Sequence, residues 1–305
     1  MKFLVIGLGN QGIKRIRTLK KYTYYTVDPF VKNADFKNIN QISKNLLNEI
    51  EAAIICTPEK NKFELIKFCF NHNIHVLVEK PLLLNKIADY NYIERVGLKK
   101  NLICYTAYNH RFEPHIIKCK QIIKSGRLGK IYHCRMFYGN GTARIVKNSP
   151  WKDKQLGVIS DLGSHLIDTL IFLLGFKLSN IKLISSNKYE NNSTDHAILM
   201  FDKKNEIHTE LEMTLCMWKN TFTCDIIGEK GSIHIDCLCK WGPSTLKYRK
   251  RTLPSGVPKE KTKTIVSKDP TWQKEIKFFI SQIKNESQIS LDNDKYIFKC
   301  LKKVI

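Results

Sequence analysis

No stretch of the 305-residue chain approaches the roughly 20 consecutive apolar residues that a membrane helix needs. The apolar start turns glycine-rich at Gly7, before a secretory h-region can form, so a mature cytoplasmic chain is expected. The ten cysteines form no CxxC pair and no small disulfide framework; they sit inside apolar segments and read as buried free thiols of a reducing compartment. Cys237 and Cys239, and likewise His72 and His75, lack neighbours that would complete a ligand set, so no metal is expected. Acidic residues are scarce, 28 against 51 Lys plus Arg, which gives a net charge of +23. Such a charge suggests a polyanionic partner, yet only nine of the 51 are arginine and the lysines are scattered. A solvated lysine surface is the expected reading, with no nucleic-acid partner; the nucleic-acid alternative rests on charge alone and has no recognition motif. What is present, 43% hydrophobic and 26% charged residues at a mean hydropathy of −0.29, suits a globular chain with a sizeable core.

The first third alternates short apolar runs with amphipathic ones. Strands are expected at 2–6, 24–27, 52–56, 75–78 and 102–105, and helices at 11–21, 61–70 and 87–98. Strands separated by helices imply crossover connections and a parallel sheet. After about residue 108 the rhythm changes. A helix at 114–124, a strand at 130–137, a loop rich in Gly, Ser and Lys and an apolar helix at 161–174 lead into strands at 182–185, 196–201, 207–217, 222–227, 232–237 and 246–251. Gly228 to Gly231 reads as a hairpin turn, and helices at 271–284 and 292–305 close the chain. The expected fold is α/β: an N-terminal Rossmann domain with a doubly wound parallel sheet over 1–107, then an α+β domain with a large, mostly antiparallel sheet over 108–305. There are no repeats and no low-complexity tracts.

The first chemical motif is Gly7-Leu8-Gly9-Asn10-Gln11-Gly12, placed directly after a strand and opening a helix. Glycines there allow a tight turn, close backbone approach to a pyrophosphate and tight helix packing, while the helix N-terminus favours phosphate charge. Asp28 lies 21 residues beyond Gly7 at the end of the second strand, where a carboxylate accepts from ribose hydroxyls and repels a 2′-phosphate. NAD is therefore expected over NADP. No Gly-Lys-Ser/Thr follows, which excludes a P-loop. Thr57-Pro58 and Glu79-Lys80-Pro81 end the third and fourth strands, on the sheet edge where doubly wound folds bind ligands. A partly desolvated lysine at that edge suits binding a hydroxyl or joining proton transfer. In Asp161-Leu162-Gly163-Ser164-His165-Leu166-Ile167-Asp168, an α-helix advancing about 100° per residue brings positions 161, 165 and 168 within about 60° of one another. An imidazole beside carboxylates suits general acid and base work. Taken singly, Asp161 is equally an N-cap and His165 a core histidine.

In this order and at these separations, the glycine fingerprint, Thr-Pro, Glu-Lys-Pro and Asp-x-Gly-x-His-x-x-Asp resemble the glucose-fructose oxidoreductase and inositol dehydrogenase (Gfo/Idh/MocA) family. The likeness spans nearly the whole chain, with Tyr108-Asn109-His110-Arg111-Phe112 opening the second domain, Gly126 to Gly129 and the Gly228-Glu229-Lys230-Gly231 hairpin. The resemblance implies a nicotinamide-dependent oxidoreductase acting on a sugar or cyclitol hydroxyl, with the substrate between the Rossmann domain and the face of the C-terminal sheet. It implies that Lys80 contacts the reacting hydroxyl, that His165 is the acid or base, and that Asp161 supports both. It places Gly7, Gly9, Asn10, Gln11, Gly12, Asp28, Thr57, Pro58, Glu79 and Lys80 at the cofactor, and Tyr108, Asn109, Arg111, Arg144, Trp151, Asp161 and His165 at the substrate. Homo-oligomers through the C-terminal sheet are expected, and no membrane partner. The chain departs from many relatives where Glu59 and Lys62 stand in place of Asn and His. It is short for the family, so reduced loops around the pocket are expected.

The run from Phe137 to Arg144, and Ser149-Pro150-Trp151, resemble members serving surface-polysaccharide or nucleotide-sugar synthesis. Arg111, Arg144, Lys147, Lys152 and Lys154 would give the pocket a basic rim, so the expected substrate is anionic, a uronate or nucleotide sugar. The alternative is a dinucleotide-binding redox sensor or regulator without turnover. Such a protein would keep the fingerprint and lose the acid and base residues, which are present here.

Overall fold

The computed structural model describes residues 1–149, 153, 156–175, 177–202 and 207–304. By compactness the chain divides into two units, Met1–Asn109 with Trp272–Phe298, and His110–Thr271 with Lys299–Ile305.

The first unit runs β1 (Lys2–Ile6), α1 (Asn10–Thr18), β2 (Thr23–Val27), α2 (Lys44–Leu47), β3 (Ala52–Ile55), α3 (Lys62–Asn71), β4 (His75–Glu79), α4 (Ile87–Lys100) and β5 (Cys104–Ala107). All strand pairings are parallel, in the order β2-β1-β3-β4-β5. Alternate strand residues point to opposite faces, so Phe3, Val5, Ala52, Ile54 and Leu77 build one core while Leu4, Ile6, Ala53, Ile55, Val76 and Val78 build the other. The second core is closed by Ile66 and Phe70 of α3 and by Tyr90 and Ile93 of α4. The first core is closed by Leu19, just beyond α1, and by Ile276, Phe279 and Ile280 of the helix Thr271–Lys284. Strand order reverses around β1, which puts the switch point of this doubly wound sheet at the carboxyl ends of β1 and β3.

The second unit contains α5 (Pro114–Lys124), β6 (Ile131–Gly139), α6 (Ala143–Lys147), α7 (Ser164–Leu174), β7 (Ile181–Asn187), β8 (His196–Phe201), β9 (His208–Thr214), β10 (Thr221–Gly228), β11 (Gly231–Asp236), β12 (Ser244–Thr252) and β13 (Gly256–Ile265). Its sheet has eight strands in the order β13-β12-β11-β10-β6-β9-β8-β7. β6 and β9 pair in parallel and the other neighbours are antiparallel. The buried face carries Cys134, Met136, Tyr138, Leu199, Leu211, Met213, Phe222, Cys224 and Ile226. Helices α5 and α7 pack on each other, presenting Ile116, Cys119, Leu166 and Leu170 as buried residues. The chain ends with α8 (Thr271–Lys284) and α9 (Asp292–Lys303).

The fold is the expected α/β arrangement, with four local departures. The sequence reading has no counterpart to α2 or β13, and α6 lies in the stretch read as a loop. The helix expected from Asp161 begins as α only at Ser164, after a π-helical turn over Ile159–Gly163. All ten cysteines are free and seven are buried. Among the described residues no helix is long and apolar enough to cross a membrane.

Candidate active site

At the switch point Gly7 has φ +92°, and a Cβ there would stand 3.0 Å from the carbonyl group of Cys56. The residue must therefore be glycine for the turn to lie against the end of β3. Gly12 is closer still, since its Cβ would meet the Gly7 carbonyl oxygen at 2.0 Å. Gly9 has nothing within 4 Å on that side and caps α1 with extended backbone and no side-chain bond to the helix amides. Asn10 and Gln11 form the first residues of α1. Thr57 follows β3 with a buried Oγ1 that has no hydrogen-bond partner among the described residues, and Pro58 is exposed beside it. An open glycine, uncapped helix amides and an unpartnered hydroxyl on one sheet edge suit a dinucleotide phosphate.

Asp28 is buried at the end of β2. Its Oδ2 accepts from the Leu8 amide at 2.7 Å, inside the fingerprint, and its Oδ1 accepts from the amides of Phe30 and Val31 at 2.8 and 3.0 Å. Burial pushes its pKa up, but those three amides and the nearby Lys37 outweigh burial and hold the carboxyl below its ordinary value. The charge is thereby fixed, and Oδ2 retains a lone pair for a ribose hydroxyl.

Glu79 ends β4, with its carboxylate accepting from Arg15 Nε at 2.5 Å, while Arg15 NH1 donates to Glu275 of α8 at 2.7 Å. Arg15 is 1% exposed and its guanidinium lies 4.3 Å from the Trp272 ring centre. Lys80 follows, half-buried, before Pro81. Lys62 at the start of α3 is buried, and its Nζ donates to the carbonyls of Glu79 and Pro81 at 2.6 and 2.7 Å. Sequence reasoning recorded Lys62 only as a departure and missed Arg15 entirely. Glu59, the other departure, lies half-buried in the turn before α3.

In the second unit His165 is 7% exposed on α7, its ring stacked on that of His110 at 4.3 Å with an interplanar angle of 18°. Tyr138 of β6 lies 6.0 Å from His165, 5.3 Å from His110 and 5.5 Å from Trp241, ring centre to ring centre. Lys240 Nζ lies 3.4 Å from His110 Nε2. Burial drives the Tyr138 phenol above its ordinary pKa, and the charges of Asp161 and Glu113 add to the rise. His110, Tyr138, Lys240 and Trp241 were not foreseen as site residues. The signal for Tyr138 was its inward position on β6, two residues beyond Met136.

The three residues expected on one face, 161, 165 and 168, differ in exposure. Asp161 sits in the π turn over Ile159–Gly163, just before the α-helix that carries His165 and Asp168. It is exposed, whereas His165 and Asp168 are buried. Asp168 makes a bidentate pair with Arg111, whose Nε donates to Oδ2 at 2.9 Å and whose NH2 donates to Oδ1. Burial pushes the Asp168 carboxyl up while Arg111 opposes it. Tyr108 and Asn109 are buried at the end of β5. Arg144 is exposed on α6, its Nε 3.6 Å from Glu190. Trp151, Lys152 and Lys154 lie outside the described residues.

One group of ligand-type side chains occurs among the described residues, Glu113, Cys239 and Asp269, with atoms within 4.8 Å of one another. Its members have other duties. Glu113 accepts from the Cys239 amide at 3.2 Å, and Asp269 accepts from the Thr271 amide and hydroxyl at 2.8 and 2.6 Å. Burial, with Glu113 beside it, pushes the Cys239 thiol up to about 12.

Comparison with known proteins gives these features a family. Residues 5–108 match the profile described as the oxidoreductase family NAD-binding Rossmann fold, and residues 116–234 match the GFO/IDH/MocA C-terminal domain. The chain belongs to the GFO/IDH/MocA family. GFO/IDH/MocA relatives include myo-inositol 2-dehydrogenase of Thermotoga maritima, 26% identical over 134 residues, covering 43% of this chain and 38% of that protein. Another is the NADP(+) scyllo-inositol 2-dehydrogenase of Bacillus subtilis, 24% identical over 156 residues, covering 50% of this chain and 43% of that protein. In both, the match spans less than half of the relative's length. Among solved structures of this fold, levoglucosan dehydrogenase in complex with NADH superposes with a TM-score of 0.81 at 15% identity, covering 99% of this chain and 94% of that one.

Proposed function

We propose that the protein is an NAD-dependent dehydrogenase or reductase acting on a secondary hydroxyl of a sugar or cyclitol, with a uronate or nucleotide sugar as the favoured substrate. The observation that carries this reading is the carboxyl edge of the first sheet, where the Gly7 turn, the Thr57 hydroxyl and the Glu79-Lys80 strand end follow parallel strands, with Asp28 tied to the fingerprint through Leu8. Dehydrogenase names among the relatives support it.

The backbone from Gly7 to Gly12 would hold the cofactor phosphates, and Asp28 the adenosine ribose. When bound, nicotinamide supplies a hydride acceptor or donor. Lys80 polarises the hydroxyl oxygen and stabilises its developing negative charge. His165 takes the hydroxyl proton during oxidation and returns it during reduction. Stacking on His110 fixes the plane of the His165 ring, and Asp161 has the supporting role that the family resemblance implies. The enzyme works as a homo-oligomer through the outward face of the eight-stranded sheet, a state that light scattering on the purified protein measures.

The test is turnover of myo-inositol, scyllo-inositol, a free hexose, a hexuronate and a UDP-linked hexose with NAD and NADP. His165→Ala and Lys80→Ala should each lower kcat roughly 10²-fold or more while NADH affinity stays within about twofold. Full activity in either variant removes that residue from the mechanism. NADH binding by the wild type with no turnover of any of the five favours a sensor.

A further inference from the structure

Lys62 occupies a position that physical chemistry disfavours three times over. Its ammonium is removed from water, at 1% exposure. It stands in the first turn of α3, where the helix dipole opposes a positive charge. The like charge of Lys80 acts on it as well, while Glu59, Glu79 and the Cys56 thiol act in the opposite sense. Burial is the largest influence, and the balance lowers its pKa from 10.5 to about 8. A methionine of similar length would avoid each of these costs. What methionine lacks is the donor capacity that Lys62 uses on the carbonyls of Glu79 and Pro81, the two residues that flank Lys80. The segment beyond is held too, since Tyr90 OH donates to the Leu82 carbonyl at 2.7 Å and accepts from the Leu84 amide at 3.0 Å.

We propose that Lys62 is a positioning residue for Lys80: by bridging the carbonyls of Glu79 and Pro81 it fixes the backbone on both sides of Lys80, and so the reach of that side chain toward the substrate hydroxyl. This rests on the role given to Lys80 above. Charge-assisted bonds to both carbonyls anchor the strand end at two points, and Arg15 anchors the Glu79 side chain at a third. Deprotonation above pH 8 leaves an amine with two N–H groups, enough for both carbonyls, so positioning outlasts the charge.

A double-mutant cycle with Lys80→Ala, on the substrate turned over best, tests the idea. Lys62→Met should lower kcat about tenfold or more with KM and NADH affinity nearly unchanged, and should cost almost nothing further in the Lys80→Ala background. A loss of the same size in both backgrounds, or no loss in the protein that keeps Lys80, overturns it. If Lys80→Ala itself keeps full turnover, it is the catalytic reading of Lys80 that fails. Amide hydrogen exchange of the NADH complex reads the anchoring without any substrate. Residues 79–84 should exchange several-fold faster in Lys62→Met while β1 is unchanged, and equal protection overturns the proposal. Lys62→Gln, uncharged and too short to bridge both carbonyls, carries the same measurements should Lys62→Met fail to fold.

Discussion

Asp28 and Arg15 show how differently a buried charge can be signalled. Asp28 was legible because its distance from Gly7 is set by one crossover unit, so its place at the end of β2 follows from strand spacing. The three amides that orient it could not be read, since they depend on the turn after β2. Asp28→Ala should narrow the preference for NADH over NADPH, measured by fluorescence titration of both. Tighter NADPH binding by the wild type would show that its fixed charge does not exclude a 2′-phosphate. Arg15 is invisible in the sequence because an arginine on an amphipathic helix reads as solvated surface. Its partners come from opposite ends of the chain, Glu79 and Glu275. Arg15→Met leaves two buried carboxylates facing the same vacated space and should lower stability by about 3–5 kcal/mol in urea unfolding. A loss below about 1 kcal/mol would mean that both carboxylates find water or protons instead.

At the scale of elements, long buried strands and amphipathic helices were read to within about three residues at either end, because burial on a repeating face leaves a periodic mark. The elements missed carry no such mark. β13 is exposed over nearly its whole length and rich in lysine, a composition that protects a sheet edge from pairing further and resembles a polar loop. The π turn before α7 cannot be seen by a helical wheel that assumes one angular step. Helix α6 sits in the stretch read as a basic rim, with Arg144 and Lys147 on it, while Arg111 is turned to Asp168. If α6 attracts an anionic substrate, Arg144→Glu should lower kcat/KM for a UDP-linked sugar about tenfold at low salt and less at high salt, leaving a neutral sugar unaffected. Equal kcat/KM for both sugars, insensitive to salt, makes α6 ordinary solvated surface.

For the molecule as a whole, the buried thiols set how stability depends on pH. Burial pushes Cys69 up to about 12 and raises Cys104 and Cys119 as well. In the unfolded chain these thiols ionise near pH 9, so their contribution is complete below that value and is lost as pH rises through it toward the folded pKa. Each thiol costs up to about 1.4 kcal/mol per pH unit over that range. Lys62, lowered to about 8, works in the opposite sense between about 8 and 10.5, but one amine is outweighed by three thiols. Urea unfolding at pH 8 and pH 10 should therefore show lower stability at the higher pH, and Cys69→Ala should reduce the difference. A flat profile would mean that the thiols ionise inside the folded protein.

The helix that completes the first core, α8, is made some 160 residues after β5. During synthesis at about 5–20 residues per second, the parallel sheet emerges with one wall open and waits roughly 8–30 s for Ile276 and Phe279. Over that interval Phe3, Val5 and Ile54 lack the cover they have in the finished fold, so the nascent chain exposes apolar surface until α8 is translated. The segment 1–115 released on its own should be cleaved by protease within the first unit, and the 305-residue chain, which carries α8, should resist.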